Sequence, residues 1–420
     1  MTTRRADARI GSSRAPGALR VGIVGAGIGG LTAAVSLLQA GIDVHVYEQA
    51  STLGVVGAGV QLSPNATRIL HRLGLADDLT RSGVKPLAWR QRRWDDGRTL
   101  LRTPLADVLE VVFEYPYYQI HRADLLFALA AAVPVGRIHL GHRLIGLVEH
   151  ADRVEARFAD GVRAEFDVLV GADGIHSGVR HELFGAQRPR FAGCAAYRGL
   201  VSAERVRDLN LETTAQLWMG PGRHFVHYFV RAGRLVNFVA VVEKDGWKHE
   251  SWTDRVDPAQ VRMAFEGWHR QVQGILAAAD DAFVWALFDR PPLGHWSTGR
   301  VTLLGDACHP MVPFMAQGAA QAIEDAAALA ACLVRGPLDV GAALHHYEQL
   351  RIPRTALLQA MSARNKVRLH LPDGQAQRDR DARMASGTTD WSFRAIDWIY
   401  KHDAGVVDDG PAGAAARWVG

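Results

Sequence analysis

A glycine-rich segment near the start of the chain, Gly25-Ala-Gly27-Ile-Gly-Gly30, restricts the possible folds more than any other stretch. Gly25 suits a tight turn out of a strand, Gly27 lets a pyrophosphate approach the backbone, and Gly30 lets a helix pack on the sheet. The next apolar run ends at Glu48, whose carboxylate can accept hydrogen bonds from both hydroxyls of an adenosine ribose. The segment therefore predicts a βαβ unit that binds a dinucleotide, and by itself it fits FAD and NAD equally.

The size and charge of the chain narrow its class. With 420 residues, of which 48% are hydrophobic, it is long enough for two domains with separate cores. The 48 basic and 44 acidic residues give a net charge of +4 without a long basic run, so we expect no nucleic-acid partner. No apolar run reaches the ~18–20 residues that span a bilayer, so we expect no membrane segment. Residues 1–19 lack the apolar core of a secretory signal and are predicted to be a disordered tail.

The three cysteines give no pattern of a metal site or of disulfide pairs. Cys194, Cys308 and Cys332 lie in unrelated contexts, without a Cys-x-x-Cys pair or the histidine spacing of a zinc site. We therefore predict no metal site. Isolated thiols in odd number are typical of a reducing compartment, which predicts a cytoplasmic protein.

Two further motifs each follow a buried-strand pattern. One contains Asp173-Gly174 and continues to Ser177 and Arg180, and the other begins with Gly305-Asp306. With the three motifs in this order, residues 20 to about 365 resemble the class A, single-component flavin-dependent aromatic hydroxylases, which have the p-hydroxybenzoate hydroxylase fold. The resemblance is closest to the subgroup of 3-hydroxybenzoate 6-hydroxylase, salicylate hydroxylase and 6-hydroxynicotinate 3-monooxygenase.

The order of strand and helix patterns predicts an α/β fold in which an antiparallel-sheet domain is inserted into a Rossmann-like domain. The strand-rich, aromatic inserted part would form most of the substrate site. The predicted parts are a discontinuous FAD-binding domain of residues 20–75, 105–185 and 286–365, a substrate domain of residues 76–104 and 186–285, and a helical C-terminal region of residues 366–420.

The resemblance implies FAD as the cofactor. Asp173 would lie near the pyrophosphate and the nicotinamide nucleotide, Arg122 near the FAD phosphates, and Asp306 against the ribityl hydroxyls, which a carboxylate can accept. The loop 313–319 would lead into a helix whose N-terminus points at the flavin pyrimidine ring, where N–H groups stabilise negative charge. The predicted cofactor-binding residues are Gly25, Gly27, Gly30, Glu48, Gln61, Arg122, Asp173, Asp306, Gly318 and Ala319.

The resemblance also implies the reaction. The chain has a single nucleotide fingerprint, which fits a family that binds reduced nicotinamide transiently. In that family NADH or NADPH reduces the flavin, and O2 then forms a flavin C4a-hydroperoxide that transfers OH to an electron-rich ring. The family tendency favours NADH, with NADPH as the alternative.

One strand pattern supplies the predicted substrate face. Alternation places His224 and Tyr228 on one face of the strand and His227 on the other. The His-x-x-x-Tyr pattern resembles the pair that contacts the ring hydroxyl in 3-hydroxybenzoate 6-hydroxylase and 6-hydroxynicotinate 3-monooxygenase, which implies that His224 is a general base. The alternative is a histidine that is only hydrogen-bonded within the sheet, a role for which His227 has the stronger claim.

The loop before the helix departs from the subgroup. Its members tend to have His where this chain has Phe314, or Gln where it has Pro313. We therefore predict an apolar wall beside the substrate ring, while the residue that binds a substrate carboxylate stays open among Tyr197, Arg198 and Arg223. The predicted catalytic residues are His224, Tyr228 and Pro313, and the predicted substrate-binding residues are His224, Tyr228 and Phe314.

We thus predict a monomeric or homodimeric FAD-dependent monooxygenase that hydroxylates a hydroxylated aromatic acid, of salicylate or 3-hydroxybenzoate type, with NADH and O2. Two alternatives stay open. One is a hydroxylase of a larger phenol or N-heterocycle in a biosynthetic pathway. The other is a flavin oxidase or dehydrogenase on the same fold, which takes electrons from its substrate.

Overall fold

The computed structural model describes residues 19–54, 58–246, 254–334, 339–387, 393–407 and 416–417. The predicted disordered tail, residues 1–19, lies outside this part of the chain except for Leu19. Within the described ranges, no helix is both long and apolar enough to cross a membrane.

The chain has the mixed α/β content that its patterns predict. The strands are β1 (Arg20–Val24), β2 (Asp43–Glu48), β3 (Gly59–Leu62), β4 (Ala88–Arg93), β5 (Thr99–Pro104), β6 (Tyr118–His121), β7 (Ile138–Leu140), β8 (Leu144–Glu149), β9 (Val154–Phe158), β10 (Arg163–Phe166), β11 (Val168–Gly171), β12 (Arg190–Ser202), β13 (Ala215–Gly220), β14 (Arg223–Val230), β15 (Leu235–Glu243), β16 (Arg255–Val256), β17 (Ala282–Asp289), β18 (Ser297–Thr298), β19 (Val301–Leu303), β20 (Val406–Val407) and β21 (Ala416–Arg417). The α-helices are α1 (Ile28–Gln39), α2 (Pro64–Arg72), α3 (Ala76–Ser82), α4 (Ala106–Phe113), α5 (Arg122–Ala131), α6 (Gly178–Phe184), α7 (Pro258–Ala264), α8 (Arg270–Ala277), α9 (Gly318–Leu333), α10 (Val340–Leu369), α11 (Gln375–Ala385) and α12 (Phe393–Tyr400).

A six-stranded sheet in the order β18-β19-β11-β1-β2-β7 carries the three motifs. β1 pairs in parallel with β2 and β11, and β11 pairs in parallel with β19. These strands are apolar and buried, as expected where both faces of a parallel sheet are covered. Because parallel strands end at the same edge, the segments that follow them meet there. The predicted Rossmann-like architecture is therefore confirmed.

Close backbone contacts explain two glycines of the first motif. Gly25 has a φ of +106°, and a Cβ there would lie 2.4 Å from the carbonyl oxygen of Ala172. A Cβ on Gly30 would lie 2.0 Å from the carbonyl oxygen of Gly25. Any side chain at Gly30 would therefore push α1 away from the sheet.

An eight-stranded, mainly antiparallel sheet has the order β16-β17-β12-β15-β14-β13-β4-β5. One face packs against α7 and α8 through an apolar core that includes Phe225, Val261 and Val272. The alternating residues His224 and Tyr228 of β14 lie on the other face, which confirms the predicted alternation. This antiparallel sheet is the predicted insertion, whereas the domain boundaries given above stay a prediction.

Buried ion pairs join α9 to α10. Arg351 on α10 donates to Asp325 Oδ1 (2.7 Å) and Glu324 Oε2 (2.6 Å), and none of these side chains is more than 1% exposed. Asp325 Oδ2 accepts from the N–H of Gly305 (3.0 Å) and lies 2.6 Å from His309 Nε2. The same carboxylate therefore holds the loop that follows β19.

Cys308, His309 and Asp325 also have ligand atoms within 4.8 Å of one another, as in a metal site. His309 and Asp325, however, are already paired with each other, and Asp325 is paired with Arg351. Burial raises the pKa of the Cys308 thiol well above its usual value, which disfavours the thiolate that a metal requires. We interpret this cluster as structural.

Replacing Arg351 with Met should lower the free energy of unfolding by about 3–5 kcal/mol, because the buried Asp325 carboxylate loses its arginine and buried Glu324 keeps only Arg354. Burial raises the pKa of Glu324, but Arg351 and Arg354 outweigh it and hold the pKa below its usual 4.5. The stabilisation by the network is therefore present above that pH and is lost as the pH falls. Urea unfolding at pH 7 measures the loss. Arg378→Met, on the exposed side of α11, is the control, and equal stability of the two variants would contradict the role of Arg351.

Candidate active site

Two adjoining cavities of ≈670 Å³ and ≈320 Å³ lie at the carboxyl edge of the parallel sheet. Arg122, Arg198 and Asp306 line both. Predicted residues that line the larger cavity are Gly25, Gly27, Glu48, Arg122, Asp173 and Asp306. Those that line the smaller cavity are Gln61, Arg122, His224, Tyr228, Asp306, Pro313, Gly318 and Ala319. The structure thus brings the predicted residues together, except that Gly30 packs against Gly25 and Phe314 lines a third cavity.

The first turn of α1 fits a pyrophosphate. Gly27 caps the helix without a side chain, the first turn has no acidic residue, and a Cβ on Gly27 would meet no atom within 4 Å. Its N–H groups and the helix dipole therefore favour an anion. Glu48 Oε2 accepts from the N–H of Ala26 (2.8 Å) and Oε1 from that of Ala50 (2.8 Å), which orients the carboxylate at the cavity wall. This is the end of the site that fits an adenosine ribose.

Asp173 shapes the loop after β11. Its Oδ1 accepts from the Ser177 hydroxyl, and its Oδ2 accepts from the N–H groups of Gly178 (2.7 Å) and Val179 (3.1 Å). Burial raises the pKa of Asp173, and these hydrogen bonds oppose the shift. The carboxylate is thus committed to the start of α6, so the residue holds the cavity wall in place rather than offering free oxygens to a ligand.

Two arginines in the cavity walls have unpaired donors. The Arg122 guanidinium forms no hydrogen bond with another described residue, and burial lowers the pKa of Arg122, opposed by Asp306 and Glu48. Arg198 lies over the Trp285 ring at 3.7 Å, and its buried Nε has no hydrogen-bond partner among the described residues. Because buried cations without partners are costly, these groups fit an anionic ligand.

Two features form the opposite wall of the cavities. They are Asp306, which follows β19, and the N-terminus of α9. Asp306 lines both cavities, and burial raises the pKa of its carboxyl, opposed by His309 and Arg122. A carboxylate here can accept from the hydroxyls of a ribityl chain. Next to it, α9 begins at Gly318 with neither a side-chain cap nor an acidic residue in its first turn. Its N–H groups favour negative charge at this end of the cavity.

His224 is a buried histidine on the cavity face of β14. Its Nδ1 lies 2.6 Å from His370 Nε2, and its ring meets the edge of Phe314 at 5.3 Å. Burial holds the pKa of His224 well below its usual value, and His370 lowers it further. The imidazole is therefore neutral at pH 7, and its Nε2 has no hydrogen-bond partner among the described residues. This nitrogen can accept a proton from a ligand in the cavity.

His227 lies on the other face of the strand, where Trp218 Nε1 donates to its Nδ1 (3.4 Å). Burial lowers the pKa of His227 to about 3, and Arg92 adds to the shift. This ring therefore stays neutral inside the sheet, in the structural role for which the sequence gives His227 a stronger claim than His224.

The third cavity, of ≈100 Å³, adjoins the second at His224 and Pro313. Sequence reasoning missed most of its lining, which includes Trp89, Gln91, Asn365, Ile399 and Tyr400. The alternation of apolar and polar residues in 88–93 predicts only a strand. The parallel pairing of β4 with β13 brings that strand to the site, and α12 arrives from the far end of the chain.

The structure separates the three candidates for binding a substrate carboxylate. Arg198 lines both larger cavities. Arg223 instead donates to the carbonyl oxygen of Ala264, and Tyr197 lies in the apolar core under α7 and α8. Arg198 is therefore the candidate that a ligand can reach.

Comparisons with known proteins agree with this geometry. The family model described as the FAD binding domain matches residues 18–359. The 3-amino-4-hydroxybenzoate 2-monooxygenase PtmB3 of Streptomyces platensis is 45% identical over 390 residues, which cover 92% of this chain and 97% of the relative. The 6-hydroxynicotinate 3-monooxygenase of Bordetella bronchiseptica is 38% identical, with 82% of this chain and 91% of the relative covered. Klebsiella pneumoniae HpxO, solved with FAD and uric acid, superposes with a TM-score of 0.80 at 28% identity, over 91% of this chain and 96% of that chain.

Asp306→Ala should weaken FAD binding about 10- to 100-fold, because hydrogen bonds to a charged group contribute roughly 1.5–3 kcal/mol. Flavin absorbance per protein after gel filtration, and titration of apoprotein with FAD, measure the effect. Asp379→Ala, on the exposed side of α11, should bind FAD like the unsubstituted protein. FAD affinity in Asp306→Ala equal to that of this control would overturn the assignment of Asp306.

Proposed function

The chain belongs to the FAD binding domain family and is a flavin-dependent aromatic monooxygenase, and we propose that its substrate is a benzoate with adjacent hydroxyl and amino groups, of the 3-amino-4-hydroxybenzoate type. Three relatives of that named activity are 42–45% identical over 92–93% of the chain. The relatives named for 6-hydroxynicotinate and 3-hydroxybenzoate are 32–39% identical. The amino group goes beyond the salicylate or 3-hydroxybenzoate type that the sequence alone predicts.

A buried acceptor carries the proposal for the amino group. Gln91 lines the third cavity together with His224, and its buried Oε1 has no hydrogen-bond partner among the described residues. A buried carbonyl oxygen without a donor is costly, and an amino N–H on the substrate ring would satisfy it. Since both residues line the third cavity, we propose that a ring that presents its hydroxyl to His224 directs its adjacent amino group towards Gln91.

The residues that line the cavities suggest the other roles in the reaction. FAD held by Glu48, Arg122 and Asp306 would supply the redox chemistry, which is hydride acceptance from reduced nicotinamide and activation of O2. His224 Nε2 accepts the proton of the ring hydroxyl, which raises the electron density of the ring. Phe314, Val226 and Pro313 form an apolar wall that excludes water from the reacting ring. The N–H groups at the start of α9 stabilise negative charge on the ligand beside them.

NADH is the proposed reductant, and its support is the family tendency alone. A further open cavity of ≈940 Å³ adjoins the cavities of ≈670 Å³ and ≈320 Å³ and shares His176 with them. It is also lined by Arg180, Arg188 and Arg290, a basic surrounding that suits a dinucleotide docking transiently. Cytoplasmic location and a monomeric or homodimeric state stay predictions.

The experiment that tests the function is a substrate panel with the FAD-loaded protein. The set is 3-amino-4-hydroxybenzoate, 4-hydroxybenzoate, 3-hydroxybenzoate, salicylate and 6-hydroxynicotinate, each with NADH or NADPH. We expect the aminated ring to give the highest kcat/KM and a product heavier by one oxygen, without excess peroxide. A higher kcat/KM for any ring without the amino group would refute the proposed substrate, and ligand reduction of the flavin without nicotinamide would indicate an oxidase.

Gln91→Leu should reduce kcat/KM for 3-amino-4-hydroxybenzoate about 10- to 100-fold, since a partner of the amino group worth roughly 1–3 kcal/mol is lost. The matched control is 4-hydroxybenzoate, which lacks the amino group and should lose little. Steady-state kinetics with both rings measure the difference. An equal loss for the two rings would mean that Gln91 does not recognise the amino group.

A further inference from the structure

His224 begins a chain of hydrogen bonds that leaves the active site. Its Nδ1 lies 2.6 Å from His370 Nε2, and His370 Nδ1 lies 3.1 Å from Glu243 Oε1. The His370 side chain is 1% exposed, whereas that of Glu243 is 46% exposed. The chain therefore runs from a cavity wall, through a buried imidazole, to a carboxylate in contact with solvent.

The carboxylate at the outer end sets the tautomers of both rings. Glu243 can only accept, so His370 carries its proton on Nδ1 and has a lone pair on Nε2. That lone pair in turn requires the proton of His224 on Nδ1, since one member of each contact must donate. His224 is then left with a lone pair on Nε2, the nitrogen that faces the cavity. The arrangement therefore makes His224 a base rather than a donor towards a ligand.

We propose that His370 and Glu243 connect His224 to solvent as a proton relay for the ring hydroxyl of the substrate. The relay rests on the proposed role of His224 as the base. As the hydroxyl proton moves to His224 Nε2, the Nδ1 proton moves to His370 Nε2, and the His370 Nδ1 proton moves to Glu243 and then to water. One proton enters and one leaves, so no charge accumulates in the buried rings. The reverse transfers return a proton to the oxygen before product release and restore both tautomers.

The surroundings leave this path intact. Burial lowers the pKa of His370, the hydrogen bond with Glu243 opposes the shift, and Lys366 adds to it. Lys366 Nζ donates to the carbonyl oxygen of Ala192 (2.8 Å). Cys194, opposite Glu243 in the pairing of β12 with β15, has its pKa raised to about 11 by burial and stays a neutral thiol. Glu243 is the carboxyl group that accepts from His370 Nδ1.

The test measures proton release itself. The oxidised, FAD-loaded protein is mixed without oxygen or nicotinamide with 3-amino-4-hydroxybenzoate, or with whichever panel phenol the unsubstituted protein ionises. A pH indicator in weakly buffered solution and the phenolate absorbance are followed by stopped flow. The variants are Glu243→Gln and His370→Gln, which keep the size and polarity of each link but cannot pass a proton. The control is Glu266→Gln, because Glu266 is an exposed glutamate that follows α7.

Both relay variants should release the proton about 10- to 100-fold more slowly than the control, the range by which positioned acid–base groups act. FAD content should be unchanged, which separates the loss of proton transfer from a loss of structure. If His370→Gln fails to retain FAD, the surface variant Glu243→Gln carries the test. Proton release at the control rate in Glu243→Gln, or equal slowing in all variants, would overturn the relay.

Failure of the relay and failure of the proposed substrate give different results. If the unsubstituted protein turns over a different phenol and the variants slow its ionisation, the substrate is wrong and the relay stands. If the aminated ring is the best substrate and all variants ionise it at one rate, the substrate stands and the relay is wrong.

Discussion

The contact between Arg351 and Asp325 is the interaction on which the arrangement of the active site depends. It is buried, and its carboxylate also binds the N–H of Gly305 and the ring of His309. One group thus fixes the end of β19, the loop that carries Asp306, and the relative position of α9 and α10. Because α9 begins beside the cavity and α10 ends near His370, this contact sets both ends of the site. Both Arg351 and Asp325 are needed, because a buried charge without a counter-charge is costly.

Burial also decides what the polar groups of the cavity can do. His224 is neutral because its ring is desolvated, and it is directed at the cavity because its other nitrogen is taken by His370. The oxygen of Gln91 stays without a donor in a largely apolar wall, so it favours a ligand that brings one. The unpaired donors of Arg122 and Arg198 favour anionic groups in the same way. The polar groups that the protein leaves unpaired therefore favour ligands that can pair with them.

The comparisons with relatives extend what the sequence predicted without replacing it. Three motifs and one strand predicted the family, the FAD cofactor and the hydroxylation of an aromatic acid. The comparisons confirm these predictions. The role of Asp173 was readable only in part, because its place beside the cavity follows from the motif but its use in starting α6 depends on loop conformation. The proposed amino group on the substrate had no sequence signal, since Gln91 is like any polar residue of an alternating strand.

The sequence by itself determined the features that depend on neighbours along the chain. The close contact with the carbonyl oxygen of Gly25 requires a glycine at Gly30, and a period of two places His224 and Tyr228 on one face. Tertiary structure alone decided that His370 meets His224 across 146 positions and Glu243 across 127. The reason is that periodicity records which face of an element is buried, whereas a contact between distant side chains depends on how whole sheets and helices pack.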